Sequence, residues 1–343
     1  MNKLTKELTM NKLTKIGASA LCGSLAAISA ANAGELTVTG GADMTWMSKS
    51  DAVTGNPLGI GSNLTFSGSG ELDNGWSVAL SVAHANANAY SNTNVTIGIP
   101  GVGDVRLDQG VSGTGIQRMD DITPTVWEEA DGAGLSAGIN KVTGTSAGGT
   151  IEFTPELATD GLTARIAYSP DADGSSTVGD KATGGTSGVL TSGWDLTLTA
   201  TSELTGVDGL TIYGGYSQVD QLQNTTGING DKTEHVIGIK YAIGSFTAGY
   251  QQSDEDNGRS TGTTGYDNTA YGITFNVNDN LSIGYSHVES DGTGATVDPE
   301  ADSFQLAYTM GGASIRIAEV DVDNASYAAG SQDATIVSLG LAF

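Results

Sequence analysis

The side chains best suited to chemistry in this 343-residue sequence are carboxylates concentrated in one stretch. The stretch "QRMDDITPTVWEEADG", residues 117–132, carries five acids and one counter-charge: Asp120, Asp121, Glu128, Glu129, Asp131 and Arg118. An enzyme would need these acids at a fixed spacing from a nucleophile or a histidine. The chain has three histidines, His84, His235 and His287, each next to a predicted loop, and no spacing singles out a catalytic set. The sequence therefore does not indicate an enzyme.

Two other acidic segments have oxygen atoms suited to Ca²⁺. They are "DADG", Asp171–Gly174, and "SDEDNG", Ser253–Gly258. Neither is followed by the spaced glutamate of a complete calcium loop. Hydrated acidic loops are the favoured interpretation, and structural Ca²⁺ is kept as an open alternative. Beyond that, the sequence predicts no cofactor.

The first 33 residues have the features of a secretory signal peptide. "MNKLTK" at Met1–Lys6 recurs at Met10–Lys15, which favours Met10 as the true start of translation. A basic segment is followed by a short apolar run and by "ANA", which predicts cleavage after Ala33. Removing four lysines and one glutamate with the leader leaves 10 basic and 38 acidic residues, a net charge of −28. This balance argues against nucleic acid or anionic headgroups as partners. It allows divalent cations or cationic solutes.

The elements that would have to position these side chains are β-strands. In "ELTVTGGADMTWMS", residues 35–48, apolar and polar residues alternate with a period of two, and the same pattern recurs to the last residue. Seven short turns alternate with eight longer loops, so the chain has about sixteen strands. "GLSAGIN", Gly134–Asn140, would be a seventeenth and would break this rhythm. We therefore assign it to one long loop, Gln109–Gly149.

The alternation predicts a closed transmembrane barrel formed by residues 34–343. Sixteen strands without a domain break are too many for an ordinary sandwich, and the polar faces are rich in Thr, Ser, Asn and Gly. A membrane cannot satisfy an open sheet edge, so the sheet has to close. A soluble or surface-attached β-rich binding protein is the alternative outside this class.

The charged residues in the strands indicate which face of the sheet contacts water. Four basic residues alternate with apolar neighbours and fall on the polar face: Arg106, Arg165, Lys240 and Arg316. A lipid-facing arginine or lysine at the bilayer midplane would cost about 2–4 kcal/mol, which explains this sorting. Asp302 and Glu319 have the outward parity, and we expect them beside the long loops, where the penalty fades.

The chain ends in "TIVSLGLAF", an amphipathic strand with a terminal Phe343. At this point the sequence resembles the Gram-negative general porins, which are trimeric, sixteen-stranded barrels of the outer membrane. The resemblance implies that Phe343 is the signal for the barrel-assembly machinery. It also implies that the third long loop folds into the barrel and narrows the pore, with its acids facing a basic wall. That loop is Gln109–Gly149.

Applied residue by residue, the resemblance places the six charged residues of 117–132 at the constriction and makes Arg106, Arg165, Lys240 and Arg316 candidates for the wall. The Pro-Glu-Phe-Gly motif of enteric members is absent, and Thr123–Trp127 stands nearby instead. The predicted function is passive diffusion of small hydrophilic solutes across the outer membrane of a Gram-negative bacterium. Neutral and cationic solutes should be favoured. A substrate-specific channel is the nearest alternative.

Overall fold

The protein is described here by a computed structural model covering residues 33–50, 56–86, 92–109, 113–146, 148–173, 189–223 and 227–342. The predicted leader, apart from its last residue, and Phe343 lie outside the described residues. Their assigned roles in export and assembly therefore stay predictions.

Sixteen antiparallel strands form one closed barrel in which each strand pairs with its neighbours in sequence and β1 pairs with β16. The prediction of a sixteen-stranded barrel is confirmed. The strands are β1 Ala33–Lys49, β2 Leu58–Glu71, β3 Ser77–Ala85, β4 Asn92–Ile99, β5 Gly103–Asp108, β6 Thr150–Pro155, β7 Leu162–Ser169, β8 Leu190–Ala200, β9 Leu210–Gln221, β10 Lys232–Ile243, β11 Phe246–Asp256, β12 Gly265–Asn276, β13 Leu281–Gly292, β14 Glu300–Met310, β15 Ala313–Asp323 and β16 Ser331–Ala342.

All seven predicted tight connections lie at one end of the barrel, where they join β2 to β3, β4 to β5 and so on to β14–β15. Gly244 and Gly311 hold their turns in the left-handed region, with φ of 58° and 61°. Glycine adopts this conformation without steric cost, which explains its recurrence in these turns. The turn between β8 and β9 adds a single helical turn, Ser202–Thr205. No helix in the described part of the chain is long and apolar enough to cross a membrane.

The two faces of the strands differ as the alternation predicted. In β8, Trp194 and Leu196 are 42% and 37% exposed, whereas Asp195 and Thr197 between and beside them are 0% and 1% exposed. Large apolar side chains therefore cover the outside of the barrel, and polar side chains face its interior. Buried polar residues on the inside are covered by the long connection between β5 and β6.

That connection, which we call the internal loop, begins after Asp108 and ends before Thr150. Residues 134–140 within it form no strand, so their assignment to the loop is correct. One prediction about the strands is wrong. His287 was expected beside a loop, but it lies inside β13 with five more strand residues after it. The ladders with β12 and β14 continue past this point, which keeps β13 extended.

Candidate pore constriction

The internal loop lies inside the barrel and packs against the inner wall at two apolar clusters. Near its start, Ile116 and Met119 pack with Tyr213 of β9 and Val236 of β10. Farther along, Ala130, Ala133, Leu135 and Ala137 pack against inward residues of β12 to β16, such as Ile336. The loop therefore follows the wall from β8 to β16 and returns, which narrows the lumen from that side.

Small wall residues let the loop approach the strands closely. A Cβ added to Gly272 of β12 would stand 2.2 Å from the carbonyl oxygen of Pro124, and one added to Gly284 of β13 would stand 2.7 Å from Val126. Contacts this short cannot be accommodated against backbone, so glycine is required where the loop backbone meets β12. The segment Thr123–Trp127, which stands near the position of the missing enteric motif, is therefore held flat against the wall.

Three buried wall carboxylates bind both arms of the loop through backbone amides. Glu152 of β6 accepts from the N–H of Gly115 at 2.8 Å. Asp195 accepts from the N–H of Ile116 at 3.1 Å and of Thr145 at 3.2 Å, so it joins the outgoing and returning arms. Glu234 of β10, which is fully buried, accepts from Thr143 at 3.0 Å and Gly144 at 2.6 Å. Charge-assisted bonds of this kind are about twice as strong as neutral ones, so they fix the loop in place.

Basic side chains gather on the wall at β5 to β7. The Nε of Arg118 lies 3.1 Å from Oε2 of Glu152, and its Nη2 contacts the other carboxylate oxygen. Arg106 of β5 pairs in register with Glu152 and forms an ion pair with Asp108. The guanidinium of Arg165 of β7 interacts electrostatically with both Arg118 and Glu152. Two of the four predicted wall cations thus lie with Arg118 in one cluster.

The acids of the loop are partly neutralised by a cation that the sequence reasoning did not select. The ammonium of Lys141, on the returning arm, lies 2.8 Å from a carboxylate oxygen of Asp121 and 3.1 Å from one of Asp131, and it also contacts Glu129. Three carboxylates around one ammonium leave an excess of negative charge. The loop therefore keeps its acidic character in spite of Lys141.

Of the remaining predicted residues, Glu128 and Arg316 lie on the far side of the lumen. Gln305 of β14 binds the loop at Trp127, whose N–H donates to its Oε1 at 2.8 Å, and at Glu128. Arg316 of β15 contacts Asp43 of β1, and its guanidinium carbon lies 5.0 Å from the centre of the Trp127 ring. Lys240 belongs to neither group, since its neighbours in the ladders are Thr211 and Gly249.

The arginine cluster and Glu128 lie on opposite sides of the barrel. Strands β6 and β14 are eight positions apart in a ring of sixteen, so they stand on opposite sides. Arg106 and Arg165 lie on the strands that flank β6, and Glu128 of the loop is bonded to Gln305 of β14. Glu128 and the arginine cluster are therefore separated by the width of the lumen.

Burial changes the proton affinity of the loop acids. Burial, with the nearby charge of Asp121, raises the pKa of Asp120 to about 7. Burial also raises the pKa of Glu128. For Glu129, burial and the neighbouring Asp121 outweigh Lys141 and raise the pKa to about 8. The pKa of Asp121 is lowered because its bonds to Glu129 and Lys141 together exceed the effect of its burial. Glu129 therefore holds a proton more readily than Asp121 does.

Sequence reasoning missed the residues that hold the loop. Glu152 and Asp195 have polar-face parity in their strands, but nothing local shows that their partners are loop amides. Their position could have indicated a role, because a carboxylate in the middle of an inward strand face requires a charged or hydrogen-bonding partner. The same holds for Glu234, since Lys232 lies two residues before it and 2.9 Å away.

The two acidic segments considered for Ca²⁺ are stabilised locally in the described residues. Asp171 accepts from the N–H of Asp173 at 3.1 Å, and Asp256 from that of Gly258 at 2.9 Å. Among the residues that the structure describes, the group of three ligand side chains close enough to share a metal is elsewhere, at His287, Glu300 and Asp302. Calcium at these segments stays an open alternative to a hydrated acidic loop.

Comparisons with known proteins agree with this architecture. A family model described as Gram-negative porin matches residues 17–310. An anion-selective porin from Comamonas acidovorans has a similar structure, with a TM-score of 0.66 and 15% identity over 90% of this chain and 99% of that one. OmpF of Salmonella typhi in complex with daunomycin has a TM-score of 0.66 and 14% identity, over 90% of this chain and 98% of that one. OmpT of Vibrio cholerae, expressed in the outer membrane, has a TM-score of 0.61 and 13% identity, over 90% of this chain and 98% of that one. A comparison with curated proteins returns no match.

Proposed function

This chain belongs to the Gram-negative porin family, and from that premise we propose that it is an outer-membrane channel for passive diffusion of small hydrophilic solutes that favours cations and neutral molecules over anions. Sixteen strands leave an aqueous bore, and no step of the transport requires chemistry. The solutes move down their gradients and are sorted by size and charge.

The observation that carries the proposal is the acidic internal loop lying along the wall of the lumen. Its residues 113–146 contain five acids and two cations, and Lys141 is shared by three of those acids. A narrow passage between low-dielectric walls concentrates the field of such charges, so cations are enriched in it. The charge of this chain supports the cation preference. The fold that it shares with an anion-selective porin does not bear on that preference.

The proposal includes the route and the assembly of the protein. A leader ending at Ala33 would direct export, and the C-terminal strand ending in Phe343 would be presented to the barrel-assembly machinery. The mature barrel would reside in the outer-membrane bilayer as a homotrimer. These steps rest on the sequence features and on family membership.

The test is the reversal potential of the purified protein in planar bilayers under a tenfold KCl gradient. We expect discrete conductance steps and a potential whose sign shows K⁺ preferred over Cl⁻. Replacing four loop acids (D120N, D121N, E128Q and E129Q) should move the potential toward zero. The matched control removes four acids from exposed tight turns (D73N, D160N, D208N and D279N) and should leave it unchanged. An anion preference in the unmodified protein would refute the selectivity, and the absence of conductance would refute the channel.

A further inference from the structure

A buried histidine lies on the outer surface of the barrel, away from the lumen. His287 of β13 has the outward parity of Tyr285, which stands opposite Phe304, a side chain 66% exposed on the outside. The side chain of His287 is nevertheless only 7% exposed. Its ring stacks on that of Tyr271 of β12, with 4.6 Å between centroids and 23° between planes. The imidazole is thus held in one orientation just beyond the outward aromatic side chains.

Two carboxylates converge on one nitrogen of this ring. Nδ1 of His287 lies 3.0 Å from Oδ1 of Asp302, its direct partner across the β13–β14 ladder, and 3.7 Å from Oε1 of Glu300. Ligand atoms of the three side chains all lie within 4.8 Å of one another. A tetrahedral Zn²⁺ with bonds of about 2.0–2.2 Å separates its ligands by about 3.3–3.5 Å. We propose that His287, Asp302 and Glu300 bind a divalent transition metal ion of the Zn²⁺ class on the outer wall.

The residues around these three side chains match the outer shell of a metal site. The other ring nitrogen, Nε2, lies 3.8 Å from Oε2 of Glu289, so a carboxylate stands near the far side of the ring without a hydrogen bond to it. The hydroxyl of Tyr285 donates to Oδ1 of Asp302. A carboxylate on the far nitrogen of a ligating histidine fixes the tautomer and raises its basicity, and such partners are characteristic of zinc sites.

The charge balance also favours a cation of this class. Asp302 stands opposite Asp321 of β15, and Asp321 stands opposite Asp333 of β16, so several negative charges lie around one imidazole. One protonated histidine cannot neutralise them, whereas a divalent ion brings two positive charges. Imidazole nitrogen with carboxylate oxygen suits Zn²⁺ or Ni²⁺, whereas Ca²⁺ and Mg²⁺ prefer oxygen ligands alone. A bound ion would join β13 to β14 near the loop end of the barrel.

A second histidine provides a matched control. His235 of β10 also places Nδ1 3.0 Å from a carboxylate, that of Asp254 of β11. It is 52% exposed and belongs to no group of three ligand side chains in the described part of the chain. If a simple histidine–carboxylate pair sufficed for binding, the two positions would behave alike.

The experiment titrates untagged, chelator-treated protein in detergent with ZnCl₂ by isothermal calorimetry, and with CoCl₂ by visible absorption. We expect one saturable Zn²⁺ per chain and tetrahedral Co²⁺ bands. H287Q, D302N and E300Q should each weaken binding at least tenfold, and H235Q should leave it unchanged. E289Q, which removes a nearby charge and no ligand, should weaken binding less than tenfold. Circular dichroism and unheated gel mobility report whether each variant is folded. E300Q should fold normally, because Glu300 is a half-exposed surface side chain.

Three results would overturn the proposal. One is binding by folded E300Q and H287Q as tight as that of the unmodified protein, which would mean that the ion binds elsewhere. Another is displacement of Zn²⁺ by an equal concentration of Ca²⁺, which would mean that the surface is a general acidic patch. Loss of binding in H235Q equal to that in H287Q would count against the site in the same way.

Discussion

Arg118 on the internal loop and Glu152 on the wall form a bidentate ion pair, in which Nε lies 3.1 Å from Oε2 and Nη2 contacts Oε1. The same Oε2 accepts from the N–H of Gly115 at 2.8 Å. Glu152 is 2% exposed, so the carboxylate has exchanged water for these partners. The start of the loop is therefore fixed to β6, at the edge of the arginine cluster.

E152Q should destabilise the barrel and loosen the loop. Glutamine can still accept from Gly115, but Arg118 loses its counter-charge in a confined site. Breaking a buried ion pair by removing one partner costs about 3–5 kcal/mol, and the lumen exposure of Arg118 places this pair at the lower end. The measurement is the temperature at which the folded barrel converts to the unfolded form on gels, with single-channel noise as a second observable. The turn variant E156Q is the control, and a midpoint equal to that of the unmodified protein would contradict the tethering role.

G115A should displace the start of the loop. Gly115 has a φ of 56°, and an added Cβ would stand 1.8 Å from Oδ2 of Asp195. G113A is a close control, because Gly113 has a φ of 76° and open space around its Cβ position. Both variants place alanine at a positive φ, with a backbone strain of about 1 kcal/mol or more, so a larger effect in G115A reports the steric conflict. We expect altered single-channel conductance for G115A alone, and a larger loss of thermal stability in G115A than in G113A. Equal behaviour of the two variants would show that Asp195 yields easily.

Cation selectivity should increase with pH around neutrality. The pKa of Asp120 is raised to about 7 by burial and by Asp121, so Asp120 is largely protonated at pH 6 and ionised at pH 8.5. Ionisation adds negative charge beside the lumen, and the K⁺/Cl⁻ permeability ratio should rise accordingly. Reversal potentials at half-unit pH steps test this. D120N should flatten the change near pH 7, and an unchanged profile in that variant would assign the titration to other groups.

K141Q should raise cation selectivity while it weakens the loop. Lys141 is the ammonium shared by Asp121, Glu129 and Asp131, so its removal leaves those carboxylates facing one another. The selectivity change follows from the lost positive charge, and the stability change follows from the repulsion. The measurements are the reversal potential and the thermal midpoint at pH 8. K49Q, at the end of β1, is the control for loss of one lysine. A fall in cation preference would contradict the placement of Lys141 at the constriction.

Much of the fold was readable because strand periodicity is a local property. The alternation around Trp194 and Asp195 assigns one to the outside and the other to the inside, and the structure agrees. Counting short and long connections placed residues 134–140 in a loop rather than in a strand, and this too is correct. The extent of β13 was misjudged at His287, because a strand can continue beyond the membrane when both neighbours continue with it.

The sequence by itself determined the barrel, its strand number and its two faces, because these follow from a period of two and from turn residues that act locally. The resemblance to the general porins identified the loop that enters the barrel. Only the tertiary structure decided how the charges pair. Thr143 meets Glu234 and Thr145 meets Asp195 across 91 and 50 residues of chain, and Lys141 collects three acids from the opposite arm. These contacts depend on closure of the barrel and on the path of a loop without periodicity, and no local pattern encodes either.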